Sequence, residues 1–459
     1  MFLPTTLVVV MLMLILASAL LAMVMANLKR SNLYSRQVSA TNVAEAGVNY
    51  YLWHLAHNPE DYSDGHTGDT LTAGGYYGPY SHNYADADGA TIGSYDIYIY
   101  PPDINSATIQ VRSVGHLNGI NLTKSILTRL SMPYFSQFFL LSFTDETWIG
   151  NSETVNGPVH SNDPLSGIRN EGITGRSTAT CISQYNADSD NDRKHNCIWG
   201  TGTFNGGYQY PTDTLDVADI NFSDFKTSAG TSGNVYYPET TGSYSGYHLV
   251  LKASGYDLKK VKSTISHRGE LPDHSTENIP DQIRTEDSYL TDQSYPTNGL
   301  MFFEDNLWIE GTITNHKISV VAAKPSEARL AFLKNIYILN NLTYNEKNST
   351  TKIGLISQRR IVFSSITPNN LTVNAAMLTK NDYIFFPAFS GVVKGNLNIF
   401  GSMAHKGGLI FTWVQNGHVT SGWPTTNYDF DADLVFSPPP YFPKSGSYQV
   451  SSWQEDPNF

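Results

Sequence analysis

The hydrophobic pattern begins with a nearly unbroken apolar run from Phe2 to Ala26, and no charged residue precedes Lys29 and Arg30. A helix rises about 1.5 Å per residue, so this run can cross a bilayer core of about 30 Å. The run is too long for the apolar region of a secretory signal, and no small-residue cleavage site marks a mature start. The pattern therefore predicts one membrane helix that carries a large domain.

The helical pattern continues beyond the apolar run. From Leu28 to Leu55, apolar residues recur at three- and four-residue steps, which is the spacing of one helix face. Because no proline lies between Pro4 and Pro59, we expect one helix of roughly 55 residues, about 80 Å long. Gly47 is its weakest position, since glycine costs ~1 kcal/mol relative to alanine inside a helix. A helix that is apolar first and amphipathic later suits a filament subunit, because such helices can pack side by side in a fibre core.

The next segment alternates between polar and apolar residues, which predicts a small antiparallel sheet. Asn118-Gly119 is a two-residue hairpin signal between the last two predicted strands. The predicted strands span residues 94–100, 107–116 and 120–131. Residues 58–93 are rich in glycine, tyrosine and aspartate, and we expect them to form an ordered surface loop.

From Phe135 to about Pro440 the chain carries many short apolar runs bounded by Asn, Gly, Ser or Lys. Their starts are separated by roughly 17 to 29 residues, which suits the rungs of a β-solenoid, where each rung buries its apolar face on its neighbours. A β-sandwich would contain similar short strands and is the alternative. The clearest runs are 307–313, 336–339, 353–356, 371–375 and 397–401.

Near the end of the predicted helix, the segment Asn42-Val43-Ala44-Glu45-Ala46-Gly47-Val48 resembles the A-E-A-G signature of PilX-like minor pilins and related pilin-like proteins. The resemblance implies a helix that lies in the inner (cytoplasmic) membrane before assembly and binds other pilin subunits in the filament core afterwards. The residues implied in this role are Phe2, Val10, Leu14, Leu21, Ala44, Glu45, Ala46 and Gly47. Thr5 replaces the glutamate usual at the fifth mature position, and the usual mid-helix proline is absent. A subunit that lacks this glutamate resembles the minor, tip-located class.

Later segments follow an order that resembles an uncharacterised domain found with PilX-like helices; they are 156–162, 307–313, 353–356, 374–378 and 428–455. The predicted fold class is mainly β with one long N-terminal α-helix. A pilin-like helix and small antiparallel sheet would be followed by a β-solenoid in the form of a right-handed β-helix. The expected domains are the helix at 1–57, the loop and sheet at 58–132, the solenoid-like ectodomain at 133–443 and a C-terminal tail at 444–459.

Composition favours an extracytoplasmic location. Only 15% of residues are charged, against a usual ~25%, and the chain has 28 tyrosines, 36 glycines and a net charge of -12. Lys29 and Arg30 alone would place the large domain in the cytoplasm. A cleaved basic leader, as prepilins carry, would reverse that balance. We therefore expect a membrane-anchored ectodomain that becomes part of an extracellular filament on a prokaryotic cell surface.

The two cysteines, Cys181 and Cys197, can form a disulfide in an oxidising exterior, worth ~3 kcal/mol by loop entropy. Between them, Asp188, Asp190 and Asp192 stand at alternate positions, like the opening of a calcium loop. The positions where an EF-hand needs glycine and glutamate are occupied by arginine and tryptophan. Two interpretations stay open, a non-EF-hand calcium site and a solvated acidic loop, and no other cofactor is expected.

A second acidic set, Asp429, Asp431 and Asp433, would lie on one side of the chain if the segment is a strand. It could bind a cation or a sugar, although a solvated strand face is the simpler interpretation. His160 and the other scattered histidines have no partner at metal-ligand spacing. We expect them to be hydrogen-bonded structural residues.

No G-x-S-x-G, P-loop or H-E-x-x-H motif is present, so the chain is not expected to be an enzyme. Arg359-Arg360 could serve as the base of a β-helix polysaccharide lyase only by fold analogy. Nucleic-acid binding is also not expected, because the segment from Pro59 to Gln110 carries acidic residues and no lysine or arginine. A local basic strip with stacking tyrosines is the exception to test; it comprises Lys252, Lys259, Lys260 and Lys262 with Tyr247 and Tyr256.

The sequence therefore predicts a structural pilin-like subunit of a type IV pilus-type filament. The β-rich domain would be displayed outside, in a minor, tip or surface-layer role. The alternative is a filament-borne adhesin, with a surface glycan as ligand, or a DNA-uptake receptor. A polysaccharide-active enzyme is a distant third.

Overall fold

The computed structural model describes residues 3–102, 108–144, 147–151, 153–163, 167–174, 179–181, 198–209, 211–212, 214–215, 220–445 and 448–456. The chain divides into two compact units. One comprises Met1–Met132 with Ser447–Phe459, and the other comprises Pro133–Gly446. Each unit has its own hydrophobic core.

The first unit is built on helix α1, Leu3–His57. Its 55 residues rise about 80 Å at the helical repeat, which confirms the prediction of one continuous helix. The large apolar side chains between Leu7 and Val38 are exposed, whereas the last turns bury one face on a sheet. The buried helix residues include Ala40, Val43, Ala44, Val48, Tyr51 and Leu55.

The sheet that α1 contacts begins with four antiparallel strands, β1 (Tyr77–Ala85), β2 (Thr91–Tyr100), β3 (Thr108–Leu117) and β4 (Thr123–Ser131). Strands β2 and β3 alternate buried and more exposed residues, as expected when only one face packs on a helix. The predicted antiparallel sheet is therefore confirmed. Strand β1 lies inside the segment that the sequence analysis treated as a surface loop.

In its described residues, the second unit consists mostly of short strands, with one short helix and three single 3₁₀ turns. The helix is α2 (Phe222–Ala229), and the turns are Phe135–Gln137, Leu330–Phe332 and Ala432–Val435. The strands before α2 are β5 (Leu140–Ser142), β6 (Thr147–Ile149), β7 (Thr154–Asn156), β8 (Val159–Ser161), β9 (Ile168–Asn170), β10 (Ile173–Thr174), β11 (Ala179–Cys181), β12 (Ile198–Trp199), β13 (Thr203–Phe204) and β14 (Tyr208–Gln209).

The strands after α2 are β15 (Val235–Tyr237), β16 (Gly246–Lys252), β17 (Gly255–Glu270), β18 (Thr276–Ser294), β19 (Leu300–Phe303), β20 (Leu307–Ile313), β21 (Lys317–Ala322), β22 (Ile336–Tyr344), β23 (Lys352–Ser357), β24 (Ile361–Phe363), β25 (Leu371–Thr379), β26 (Ile384–Phe385), β27 (Ala388–Phe389), β28 (Asn396–His405), β29 (Leu409–Ile410), β30 (Thr412–Gln415), β31 (His418–Gly422) and β32 (Thr425–Phe430).

Most of these strands pair in parallel ladders. One ladder runs in the order β15-β19-β21-β23-β25-β28-β5-β8-β11-β14, and every pairing in it is parallel. A second runs β16-β20-β22-β24-β26-β29. A sandwich of the immunoglobulin type is built from antiparallel sheets, so the parallel ladders favour the solenoid interpretation over the sandwich.

The order of the first ladder differs from the order of the chain. Strand β28, late in the sequence, pairs with the early strand β5, so that Met403 lies beside Leu140. Strand β32 likewise pairs with β7. The early strands therefore continue the stack where the late strands end.

Several central strands of this unit, such as β19 and β23, are buried on both faces. In β20, Leu307 and Ile309 belong to the main core, while Trp308 between them points to a second cluster. Because both faces are covered, the strands are continuous apolar runs rather than alternating ones, as in other parallel sheets. The runs predicted at 307–313, 336–339, 353–356, 371–375 and 397–401 all lie within observed strands.

After the second unit, the chain returns to the first sheet as strand β33 (Gln449–Glu455), which pairs antiparallel with β4. Every residue of β33 is exposed. Its sequence does not show the apolar alternation that marks a half-buried strand. The segment expected to be a C-terminal tail thus contains a strand.

Candidate functional site: the exposed N-terminal helix

The most unusual surface of the described chain is the exposed part of α1. Between Thr6 and His57, this helix contains a window of residues with a mean hydropathy of 3.0, and no part of that window is buried. By length and composition alone it could cross a membrane, and it is the one helix in the described ranges that could. Val10, Leu14 and Leu21 are 55%, 65% and 66% exposed; Phe2 lies outside the described residues. An apolar surface of this size requires lipid or other protein around it.

The last part of α1 lies unusually close to the sheet. A Cβ atom placed on Gly47 would lie 2.2 Å from Ser113 Oγ and 2.8 Å from Tyr95 Cδ2. A Cβ on Gly115 of β3 would lie 2.4 Å from the Ala40 carbonyl oxygen. Small residues are therefore needed on both elements. Gly47, the predicted weak point of the helix, is the residue that allows this contact.

Charged residues on α1 have no ionic partner among the described residues. Lys29, Arg30 and Arg36 are exposed, and Glu45 is half-buried. The ion pairs of the described chain involve none of these four side chains. They are available to groups outside the chain.

A network of histidines and aspartates holds the chain that leaves α1. His54 Nε2 lies 3.0 Å from Asp61 Oδ2, and His82 Nε2 lies 2.7 Å from Asp64 Oδ2. Burial opposes ionisation of Asp61, but the backbone N–H groups of Ser63 and Gly65 outweigh it and lower the pKa of Asp61. These contacts fix the segment that follows α1 to the end of the helix and to β1. No group of three or more His, Cys, Asp or Glu side chains in the described ranges could hold a metal ion.

The second unit carries a long hairpin, β17–β18, that the sequence analysis did not predict. Its arms of 16 and 19 residues cover a stack of outward-facing side chains on consecutive rungs, namely Trp308, Tyr337, Val362 and Phe385. Val261, Leu271 and Ile279 of the hairpin complete this cluster. We call residues 255–294 the strap, because the hairpin runs across several rungs.

Hydrogen bonds and ion pairs attach the strap to the rungs at three points. Asp281 is fully buried and accepts hydrogen bonds from Ser364 Oγ at 3.0 Å and from the Ser365 N–H at 2.6 Å. Glu286 lies 2.7 Å from His248 Nδ1. Burial acts against ionisation of Glu286, but its bonds to His248 and Lys259 lower its pKa to about 2. The third point is at the tip of the strap.

Arg359 and Arg360 form this third attachment. Arg360 lies 2.7 Å from Glu277 of the strap and 2.6 Å from Asp382. Both arginines are buried and bonded to carboxylates. The base role considered for a polysaccharide lyase is therefore wrong, because neither guanidinium faces open solvent where a substrate could bind.

The predicted basic strip is neutralised by the strap. Lys252 Nζ lies 2.6 Å from Asp257 and from Asp292. Lys259 lies 2.6 Å from Glu286, and Lys262 lies 3.5 Å from Asp287. Lys260 instead lies 4.0 Å from the ring centroid of Tyr289. Tyr247 and Tyr256 are 1% and 2% exposed. Both tyrosines are core residues, so they are not placed to stack on bases.

The aspartates near the end of the second unit do not share one strand face. Asp429 lies in β32 and accepts a hydrogen bond from Asn156 at 3.0 Å. The strand ends at Phe430, and buried Asp431 caps the turn Ala432–Val435. The single strand face considered for these aspartates, whether solvated or open to a cation or sugar, does not form, because the strand ends at Phe430 and Asp431 is buried.

Several other predicted residues can be placed. His160 is buried and bonded to Thr180 Oγ1 and Asn162 Oδ1 at 2.8 and 3.0 Å, as a structural histidine would be. Cys181 is buried at the end of β11 and is not a free thiol. Cys197 lies outside the described residues, and so do Asp188, Asp190 and Asp192. Their pairing and the calcium site remain predictions.

The solved structures that are similar to this chain include the competence-associated pilin ComZ from Thermus thermophilus. The two chains are 13% identical, with a TM-score of 0.32, over 92% of this chain and 97% of that chain. A similarity at this level carries no argument about function. No family model matches the sequence, and no curated protein matches it.

Proposed function

We propose that this protein is a pilin-like structural subunit of a type IV pilus-type extracellular filament. The main observation that supports this proposal is that α1 has two parts with different surroundings. One part is apolar and exposed, and the other packs on the sheet of the same chain. A simple membrane anchor needs only the first part, whereas a filament subunit needs a rigid continuation into its folded domain.

In this proposal the exposed part of α1 lies in the inner membrane before assembly and against other subunits afterwards. Both environments remove its apolar side chains from water, which stabilises them by about 25 cal/mol per Å² of buried apolar surface. The close contact at Gly47 and Gly115 would hold the helix at one angle to the sheet. The second unit would be displayed outside, in a minor, tip or surface-layer role.

Replacing Val10 or Leu14 with aspartate tests the assembly role. Each change puts a charge in the middle of the apolar run, which costs ~3 kcal/mol on membrane-insertion scales. We expect both variants to be lost from the membrane fraction and from sheared filaments. Ser31→Asp is the matched control, because Ser31 lies on the same helix beyond the apolar run. Normal filament incorporation of Val10→Asp would contradict the proposal.

A glycan-binding adhesin is the second candidate, and one observation favours it. Trp148 is 59% exposed on the second unit, and the guanidinium carbon of Arg169 lies 4.6 Å from its ring centroid. An exposed aromatic ring beside a fixed cation suits the apolar face and hydroxyl groups of a sugar. Trp148→Ala should then abolish binding to a glycan array while filament incorporation stays normal. Equal array signals for the variant and the unaltered protein would remove this candidate.

DNA uptake is the less favoured receptor role. The basic strip is paired with carboxylates, and phosphate binding would have to break those pairs. We expect the full chain to show no DNA binding at physiological salt, and the triple change of Lys259, Lys260 and Lys262 to alanine to alter nothing. A micromolar affinity that falls steeply with salt and is lost in the triple variant would support the receptor role.

A further inference from the structure

A lysine and an aspartate meet in the interior of the second unit, far apart in sequence. Lys352 Nζ lies 2.7 Å from Asp431 Oδ2, and 79 residues separate the two. Lys352 is fully buried and Asp431 is 2% exposed. Lys352 begins β23, whereas Asp431 follows β32, so the contact joins two distant parts of the unit.

The groups around this pair differ from those around the other buried lysine–aspartate pair, Lys334–Asp305. Asp305 accepts hydrogen bonds from Thr240 and from the N–H of Asn306 in addition to Lys334. Asp305 therefore has three different donor groups around its carboxylate. Asp431 accepts from Lys352 and, at 3.2 Å, from the N–H of Asp433. Burial raises the pKa of Asp431, despite the opposing contact with Lys352.

Two more groups complete the site. Asp433 Oδ2 lies 3.5 Å from Lys352 Nζ, and its side chain is 45% exposed, so it connects the buried amine to solvent. Lys317 donates to Ser437 beside the site. Burial and the charge of Lys352 lower the pKa of Lys317. Two lysine side chains are therefore near the same pair of carboxyl groups.

We infer that Lys352 and Asp431 form an intramolecular isopeptide bond. The ammonium of Lys352 gives one proton to the Asp431 carboxyl group, and Asp433 accepts and returns a second. The free amine attacks Cγ of Asp431, the C–N bond forms, and one C–O bond breaks. The oxygen leaves with two protons as water. An ammonium and a carboxylate thus become one amide and one water molecule, and no other reactant is needed.

The geometry supplies what this condensation lacks in water. An amine and an acid held in contact act at effective concentrations of about 10⁵–10⁸ M. The ring of buried Tyr344 lies 5.6 Å from Lys352 Nζ. Because both side chains are buried, bulk water is excluded from the pair. The product amide would link the start of β23 to the turn after β32.

Mass spectrometry of the full chain tests the bond directly. The protein is purified in detergent, reduced and denatured, and its intact mass is compared with that of the variant Lys352→Arg. We expect the unaltered chain to lack one water molecule and the variant to lack none. Proteolysis should then release a branched peptide that contains both Lys352 and Asp431. Because the unaltered chain is read after denaturation, the test stands even where the variant folds poorly.

Two further variants make the result specific. Lys334→Arg, at the other buried pair, should lack one water molecule just as the unaltered chain does. Asp433→Asn should give a mixture of linked and unlinked chains, because the group that relays the amine proton is gone. An unaltered chain with no missing water, or a water missing equally from Lys352→Arg, overturns the bond. Complete linkage in Asp433→Asn overturns the role of Asp433.

Discussion

Replacing Gly47 with alanine tests whether close contact with the sheet, rather than helix propensity, decides the stability of the first unit. In an isolated helix this change stabilises by ~1 kcal/mol. In the folded unit the new Cβ would lie 2.2 Å from Ser113 Oγ and 2.8 Å from Tyr95 Cδ2. Overpacking of this kind costs about 1–3 kcal/mol. With a cost near the middle of that range, about 2 kcal/mol against a gain of about 1, we expect a net destabilisation of about 1 kcal/mol.

Hydrogen exchange followed by mass spectrometry is the suitable assay, because it reports on the two units separately. The amides of β2 and β3 in the full chain in detergent should exchange about five times faster, since 1.4 kcal/mol corresponds to a tenfold change. The matched control is Asn49→Ala. Asn49 is exposed on the same helix, so this change should be neutral or slightly stabilising.

A second substitution identifies the atom responsible. Ser113 Oγ is buried and has no hydrogen-bond partner among the described residues, so Ser113→Ala should cost little. It removes the atom that the new methyl group at position 47 would meet first. Gly47→Ala should therefore destabilise the Ser113→Ala protein by at least ~0.5 kcal/mol less than it destabilises the original, a measurable coupling. Slower exchange in Gly47→Ala, as in the Asn49 control, would refute the packing argument.

Three further predictions concern the second unit. Burial lowers the pKa of His405 to about 4, below ~6.5 in the unfolded chain, so the free energy of unfolding is full above pH ~6.5 and falls by about 3 kcal/mol towards pH 4. In urea unfolding, the free energy of unfolding of His405→Asn should depend less steeply on pH over this range. An unchanged pH dependence would exclude His405 as the cause. Arg360→Gln should destabilise the protein by about 3 kcal/mol in the same assay, because it breaks a buried ion pair. The control is Arg329→Gln, which breaks an exposed ion pair and should cost under ~1 kcal/mol. Equal losses of stability in the two variants would show that the strap attachment adds no stability. Peptide mapping without reductant should find Cys181 linked to Cys197, and alkylation of both cysteines would argue against an oxidising location.

The candidate helix was predictable because its determinants are local. Its apolar run, its three- and four-residue spacing and the absence of proline all lie within neighbouring turns. The apolar runs of the second unit were predictable for a similar reason, since a strand buried on both faces must be continuously apolar. The exposed strand β33 carries no such pattern and was missed.

Contacts between distant residues were not predictable in the same way. The lysines at 252–262 form a basic strip in the sequence, yet Glu286 and Asp287 on the opposite arm of the strap neutralise part of it. Alternate aspartates suggested one face between Asp429 and Asp433, but the strand ends between them. The local sequence shows the charge of a segment, but only the tertiary structure shows which distant residues form ion pairs with it.

The sequence by itself determined that this protein has one long helix, apolar in its first half, followed by a β-rich chain of short apolar runs, because hydrophobic periodicity acts over a few residues. Tertiary structure alone decided that Gly47 is required rather than merely tolerated, since the need arises from Ser113 and Tyr95 on the sheet. It also decided that Lys352 meets Asp431, 79 residues away. Contacts of that range depend on the order in which rungs stack, and the chain does not stack them in sequence order.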